Sequence, residues 1–301
     1  MINRSPPVVR QRRPGLWLGT FEAMKSPCEV CVECADENQA HVLVEQAANE
    51  AWRIEEKFSR FLPESVIGRI NRATGWQPVD EETMALLKLA DTCWQATDGL
   101  IDITIGAVMC LWRFDGQSPP PPRHVVAEAR KSVGWDKVEL RTDAVRLKEG
   151  VQLDFGGIGK EYAVDRVGMQ LLQALPKGGV LVNFGGDVLA ARSKKDGQPW
   201  HIGVETLVGQ EKQSGLALVT GAVATSGDTK RFAVDGKGQR LGHVLNPKTG
   251  WPVPHGPATV TVVGGTATQA GLLATCAMLQ GKYAGDFLAR EGVRHYIQWP
   301  K

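Results

Sequence analysis

The stretch Leu153-Asp154-Phe155-Gly156-Gly157-Ile158-Gly159-Lys160 decides how this chain reads. An apolar run ends in a carboxylate, passes three glycines and reaches a lysine where a helical pattern begins. The pattern predicts a strand over Val151 to Phe155 that enters a backbone-exposing loop at a helix start. Such a loop offers carbonyls, N–H groups and one cation to a phosphorylated ligand. Glycine loops also join strands to helices for packing alone, so the stretch gains weight from its company. Val182-Asn183-Phe184-Gly185-Gly186-Asp187, Ala224-Thr225-Ser226-Gly227-Asp228 and His243-Val244-Leu245-Asn246-Pro247-Lys248-Thr249-Gly250 are further polar, glycine-bearing turns at strand ends.

Working outward, apolar positions at 42, 44, 47, 48, 51 and 54 predict a helix over 37–57, and Asp80 predicts the cap of another over 81–96. Ser65 is placed to cap a short helix over 66–71; further helices are expected at 123–132, 160–175 and 269–280. Short strands are expected at 16–20, 29–34, 138–140, 145–147, 180–184, 200–207, 214–219, 222–225, 231–234, 260–263 and 293–298. Runs of strands mixed with long helices predict an α+β fold rather than an alternating parallel one.

The chain of 301 residues, 43% hydrophobic and 23% charged, has the composition of a globular protein with a large core. A net charge of +2 gives no general electrostatic reason to expect nucleic acid or an acidic membrane as partner. Residues 1–14 hold four arginines among three prolines and are expected to form a disordered arm before a domain over 15–301. No apolar leader core follows them and no apolar run approaches the roughly 20 residues that span a bilayer. The expectation is a cytoplasmic protein without a membrane anchor. Cys28, Cys31 and Cys34 have the spacing of a metal motif, but in an alternating strand Cys31 faces away from the other two, so a structural reading is preferred.

Taken together, these segments resemble the ApbE-type flavin transferases, the FAD:protein FMN transferases. The resemblance runs from about Leu18 to Gly281 with the motifs in family order. Leu18-Gly19-Thr20, Phe58-Ser59-Arg60-Phe61 with Ser65 and Asn71, and Asp98-Gly99-Leu100-Ile101-Asp102-Ile103-Thr104 with Trp112 precede Leu153 to Asp165. Asn183 to Asp187, Thr225 to Asp228 and His243 to Gly250 complete the series.

The resemblance implies an ApbE-like architecture of mixed, mostly antiparallel sheets with helices and a ligand cleft between two intimate lobes. It implies transfer of FMN from FAD to a threonine or serine hydroxyl of an acceptor protein, with release of AMP and help from Mg2+. On that reading His243 is the candidate base for the acceptor hydroxyl, and Lys160 is the cation on the flavin or pyrophosphate. Asp154 hydrogen-bonds the cofactor, Asp102 with the backbone of Leu100 and Ile101 holds the flavin region, and Phe61 supplies an aromatic contact. Ser226 and Asp228 are contacts of the pyrophosphate or acceptor loop, and Leu18 and Leu245 complete the cofactor-binding set.

The metal site departs from the family pattern. The late helix in the family carries Ala-Asp-Ala-Leu-x-Thr, but this chain reads Ala270-Gly271-Leu272-Leu273-Ala274-Thr275. The implied protein ligands are then the Gly157 carbonyl and the Thr275 hydroxyl, both neutral, although Mg2+ usually takes one or two carboxylates. Glu161 stands where the family has glycine, and Asn246 where it usually has aspartate; Glu161 adjoins the metal loop, and compensation by it for the missing carboxylate is one reading. Two readings follow: an active Mg2+-assisted transferase, or a flavin-binding relative in which transfer is weak or lost. On the second, Gly271→Asp is expected to raise activity.

Overall fold

Alternating apolar residues build the central sheet of the computed structural model, which describes residues 4–204, 215–228 and 231–300. Its strands are β1 (Val8–Arg13), β2 (Leu16–Ala23), β3 (Ser26–Glu33), β4 (Val180–Phe184), β5 (Asp187–Arg192), β6 (Gly221–Gly227), β7 (Thr259–Gly264) and β8 (His295–Gln298). They lie side by side in chain order, and every neighbouring pair is antiparallel. The sheet is therefore a meander whose connections have been lengthened.

The longest connection, between β3 and β4, carries six helices: α1 (Glu37–Phe58), α2 (Val66–Arg72), α3 (Glu81–Ala96), α4 (Gly106–Met109), α5 (Arg123–Arg130) and α6 (Gly159–Ala174). Capping sets several of these starts. The Ser65 hydroxyl accepts from the Gly68 amide at 2.7 Å, and the Asp80 carboxylate accepts from the Thr83 amide at 2.9 Å. α7 (Ala267–Leu279) and α8 (Ala284–Arg290) lie between β7 and β8.

α1 and α6 cover one face of the sheet. Gly19 is required there, since a Cβ at that position would sit 2.3 Å from both Val44 γ-carbons. Phe21, Val30, Val182 and Phe184 of the sheet join Ala47, Ala51, Ile54, Val164 and Leu171 of these helices in the main core. α7 covers the far half of the same sheet, with Ala224, Val260 and Val262 against Ala270, Ala274 and Ala277. Burial of this kind, at about 25 cal/mol per Å² of apolar surface, drives the fold. A separate cluster around Val108, Trp112, Val126, Ala233 and Leu245 joins α4 and α5 to the ribbons at 232–242 and 245–252.

The structure amends three expectations. The N-terminal arm is not disordered over Val8–Arg13, which pairs with β2 as an edge strand, its charged side chains turned to solvent. Such charges on an edge discourage pairing with other chains. Val151–Phe155 is not a strand. It forms one isolated bridge, from Gln152 to Ile105, and one further backbone bond, from the Asp154 amide to the Ile103 carbonyl at 2.7 Å; the Asn71 amide substitutes for a ladder partner. Asn71 Oδ1 accepts from the Leu153 amide at 2.7 Å, and its Nδ2 donates to the Leu153 carbonyl at 2.9 Å. Finally, β5 follows directly on the Gly185-Gly186 turn, whose positive φ values of 61° and 102° make it a tight hairpin. The expected strands at 200–207 and 214–219 appear as Trp200–Ile202 and Leu216–Leu218; positions 205–214 lie outside the described residues. No helix among the described residues is long and apolar enough to cross a membrane.

Candidate functional site

The loop before α6 is pinned by its apolar members. Leu153, Phe155 and Ile158 are buried in the main core, and Phe155 meets Phe58 edge-on at 5.7 Å. Anchoring these alternate positions leaves Gly156 and Gly157 exposed between them. Neither has a positive φ, so left-handed geometry is not what selects glycine here. At Gly156 a Cβ would lie 2.9 Å from Asp154 Oδ1, which folds back to accept from the Gly156 amide at 2.8 Å. At Gly157 a Cβ would meet nothing within 4 Å, so an open stretch of backbone faces outward.

Lys160 follows at the start of α6 and pairs with Asp187 at 2.7 Å, at the tip of the β4–β5 hairpin. Burial works against the ammonium, but the Asp187 and Glu161 carboxylates outweigh it and hold Lys160 above its ordinary value. Asp187 is raised in turn, chiefly by burial, with Lys160 opposing. Its other oxygen accepts from the Thr225 amide at 3.3 Å. On the next strand Ser226 Oγ and Thr275 Oγ1 of α7 are 2.7 Å apart. The loop at 156–160, the β4–β5 hairpin, the end of β6 and the middle of α7 thus converge.

Glu161 occupies the centre of that convergence. It is 9% exposed, its Oε2 is buried with no hydrogen-bond partner, and burial with Asp187 nearby pushes its carboxyl up to about 7. A Cβ on Gly271 would lie 2.6 Å from Glu161 Cγ and 3.1 Å from its Oε1. The space that a side chain at position 271 would need is filled by Glu161. Gly271→Asp therefore cannot simply restore a carboxylate there, and the expected gain in activity from that single change does not follow.

A second charged group adjoins the first. Asp154 Oδ2 pairs with Arg60 Nε at 2.9 Å, and the Arg60 guanidinium lies 4.2 Å from the Phe61 ring centroid. Lys25 covers Phe61 at 4.7 Å, and the ring itself is 64% exposed. Arg231 lies within electrostatic reach of Asp154 and Arg60; burial lowers it and Asp154 opposes that. His243 is hydrogen-bonded to the Arg231 backbone and packs edge-on to Phe114 at 6.1 Å, with Nδ1 buried and unpartnered. Burial first, then the Arg231 charge, brings its imidazole down to about 4, so it is neutral at pH 7.

Of the residues singled out in the sequence, Lys160 adjoins Glu161 and Asp187, Ser226 meets Thr275 one turn along α7 from Gly271, Gly157 lies in the open loop before them, and Asp154, Phe61 and His243 gather around Arg60 and Arg231. Asp228 is half-buried beside Gly242, where burial raises its carboxyl. Leu245 is buried in the Trp112 cluster. Asp102 is turned inward: its carboxylate accepts from the Thr104 amide at 2.8 Å and hydroxyl at 2.6 Å, and so shapes the 100–105 loop. Ile101 is buried against Cys276 and Leu279, and Leu100 lines an open hollow with Asp98, Lys248 and Phe287. Leu18 pairs with Cys31 on the face of the sheet opposite Gly19 and α1, away from the α6 loop.

Sequence reasoning assigned no role to Arg60, Arg231 or Asp187, whose partners lie far along the chain; only Arg60 and Asp187 fell inside motifs already quoted. Among the described residues no group of three or more His, Cys, Asp or Glu gathers as a metal centre. What the convergence offers a cation is one unpartnered carboxylate with hydroxyl and carbonyl oxygens, a hard set suited to Mg2+ or Mn2+ and unsuited to zinc.

The ApbE family model matches residues 24–297. The FAD:protein FMN transferase of Haemophilus influenzae is 30% identical over 240 residues, covering 75% of this chain and 69% of that protein. The one from Escherichia coli K12 is 25% identical over 297 residues, covering 94% and 82%. Among solved structures, the ApbE protein of Thermotoga maritima superposes with a TM-score of 0.86 at 33% identity, covering 94% of each chain. The flavinyl transferase ApbE of Pseudomonas stutzeri, in its apo form, gives 0.81 at 25% identity, covering 100% and 93%. The antiparallel sheet, the converging loops and a match over most of the sequence agree, and the chain belongs to the ApbE family.

Proposed function

We propose that this protein transfers FMN from FAD to a threonine or serine hydroxyl of an acceptor protein and releases AMP, with Mg2+ assisting. The observation that carries the reading is the meeting of separate polar loops around Lys160, Arg60 and Arg231, with a neutral imidazole beside them. That is the equipment a phosphoryl transfer needs, because such reactions are catalysed mainly by positioning and charge neutralisation. The catalytic unit spans 15–301, with β1 as its added edge strand. Buried free thiols at Cys28, Cys34 and Cys276 suit a reducing compartment, which supports an acceptor in the cytosol or facing it.

In the step proposed, the acceptor oxygen forms a bond to the phosphorus of the FMN half, and the phosphoanhydride bond to AMP breaks. His243 takes the hydroxyl proton. Its low basicity in the free protein comes from burial and from Arg231, and a bound pyrophosphate would offset the second cause. Arg231, Arg60 and Lys160 balance the charge that gathers on the departing phosphate. A divalent cation held by Gly157, Thr275 and the neighbouring oxygens would supply further neutralisation. The rival reading, a flavin carrier without transfer, took its support from the absent carboxylate at 271. Glu161 in that space weakens its premise.

The test is incubation of the purified protein with FAD, Mg2+ and an acceptor peptide. Flavin fluorescence that survives a denaturing gel supports transfer. A reversible yellow colour with no such band would overturn it in favour of the carrier.

A further inference from the structure

Two departures from the family pattern, Gly271 and Glu161, are neighbours in space. Glu161 lies on α6 and Gly271 on α7, and the Glu161 side chain runs through the volume that a Cβ at 271 would claim. Any other residue at 271 would expel it. Gly271 and Thr275 share one face of α7, four residues apart. The Glu161 carboxyl therefore lies against the face that presents the Thr275 hydroxyl, which Ser226 approaches within 2.7 Å.

Two buried carboxyl groups here have a single ammonium between them. Glu161 and Asp187 are both buried, and Lys160 is spent on Asp187 at 2.7 Å. Glu161 Oε2 keeps no hydrogen-bond partner at all. Buried carboxylates are normally paired or bound to metal, because an isolated one is costly. The satisfied alternative is a cation that collects Glu161 with the Thr275 and Ser226 hydroxyls and the open Gly157 backbone.

We propose that Glu161 is the carboxylate ligand of the divalent cation, moved from α7 to α6, and that Gly271 is the vacancy that admits it. The proposal rests on the Mg2+-assisted reading above and adds the donor that reading lacked. The two positions form one exchangeable pair: a carboxylate on either helix serves if the other carries glycine.

Mn2+ is the probe, titrated into the full-length protein with FAD present and followed by loss of the free-ion electron paramagnetic resonance signal. Glu161→Gln, close in shape, should weaken Mn2+ binding on the order of tenfold or more, as loss of a charged donor demands. The double change Glu161→Gly with Gly271→Asp should recover most of the affinity, while Gly271→Asp alone should not raise it. Circular dichroism confirms that each variant is folded, and the double variant keeps the test decisive if Glu161→Gln folds poorly. If Glu161→Gln binds Mn2+ as tightly as the parent, the proposal falls and the metal-assisted reading stands. If the parent itself binds no Mn2+ and still flavinylates its acceptor in chelator, both fall.

Discussion

Two clusters of charge flank α6, and they are built on opposite plans. On its outer side Arg53 bridges Glu50 and Glu82, Lys57 joins Asp80 to Glu82, and the Tyr162 hydroxyl donates to Glu82 at 2.8 Å. Every carboxylate there has partners. Arg53 first, with Lys57 and Tyr162, holds Glu82 well below the usual range; at Asp80 burial is opposed and beaten by Lys57 and Thr83, which bring it to about 2. On the inner side Glu161 and Asp187 share one lysine, both are raised, and one oxygen is left bare. A network satisfied from within serves the fold. One left short of a partner marks the place where something else binds.

The contrast is open to experiment, and the largest effect belongs to the candidate site that the inner cluster adjoins. His243→Gln should lower kcat by about 10²–10⁴-fold, the range for loss of a general base. FAD uptake, followed by flavin fluorescence quenching, should stay within a few-fold. A comparable loss of FAD uptake would make His243 a binding residue instead.

Next comes acid stability. The folded protein holds His243 neutral to about pH 4, while the unfolded chain takes up that proton near 6.5. Below 6.5 the unfolded chain takes up that proton first, so this group's own contribution falls between pH 6.5 and 4, by on the order of 3 kcal/mol, while Glu161, raised to about 7, works in the opposite sense between pH 4.5 and 7. Asp80 and Glu82 are depressed, so their contribution is present above about pH 4.5 and is lost as pH falls toward 2. Denaturant melts across pH should show the loss below pH 4.5 in parent and variant alike, and His243→Gln should gain stability relative to the parent as pH falls from 6.5 to 4.

Smaller still is the expected cost of Glu82→Gln, about 1 kcal/mol once the screening of its partly exposed partners is allowed for. Transfer activity should be unchanged, and a fall in activity at constant stability would join the two clusters that the comparison separates. Phe61→Ala is last. The ring is exposed between Lys25 and Arg60, so melting should barely move, while FAD should bind about threefold to tenfold more weakly through lost aromatic contact.

Local chemistry was legible in the sequence. The caps at Ser65 and Asp80, the periodicity of α1 and the hairpin glycines at 185 and 186 depend on residues a few positions apart, and they fell where expected. The glycine-rich loops were recognised as polar turns at strand ends, but their partners were not. Lys160 was read as the cation on the cofactor and Asp154 as its hydrogen-bond partner, but their protein partners, Asp187 and Arg60, were not foreseen. Val151–Phe155 looked like a strand because its residues suit one, yet only Asn71, far back in the chain, could show that no strand lies beside it. Gly271 read as a loss for the same reason. Its meaning depends on which side chain fills the gap, and that side chain is on another helix.

The meander carries a further consequence for synthesis. Neighbouring strands follow one another along the chain, so the sheet can widen one strand at a time as the polypeptide emerges. The ligand pocket cannot. Glu161 leaves the ribosome long before Gly271 and Thr275, and until α7 docks it stays in contact with water. On the proposed reading, capture of a cation waits until α7 has been made, and a chain stopped short of it should hold none.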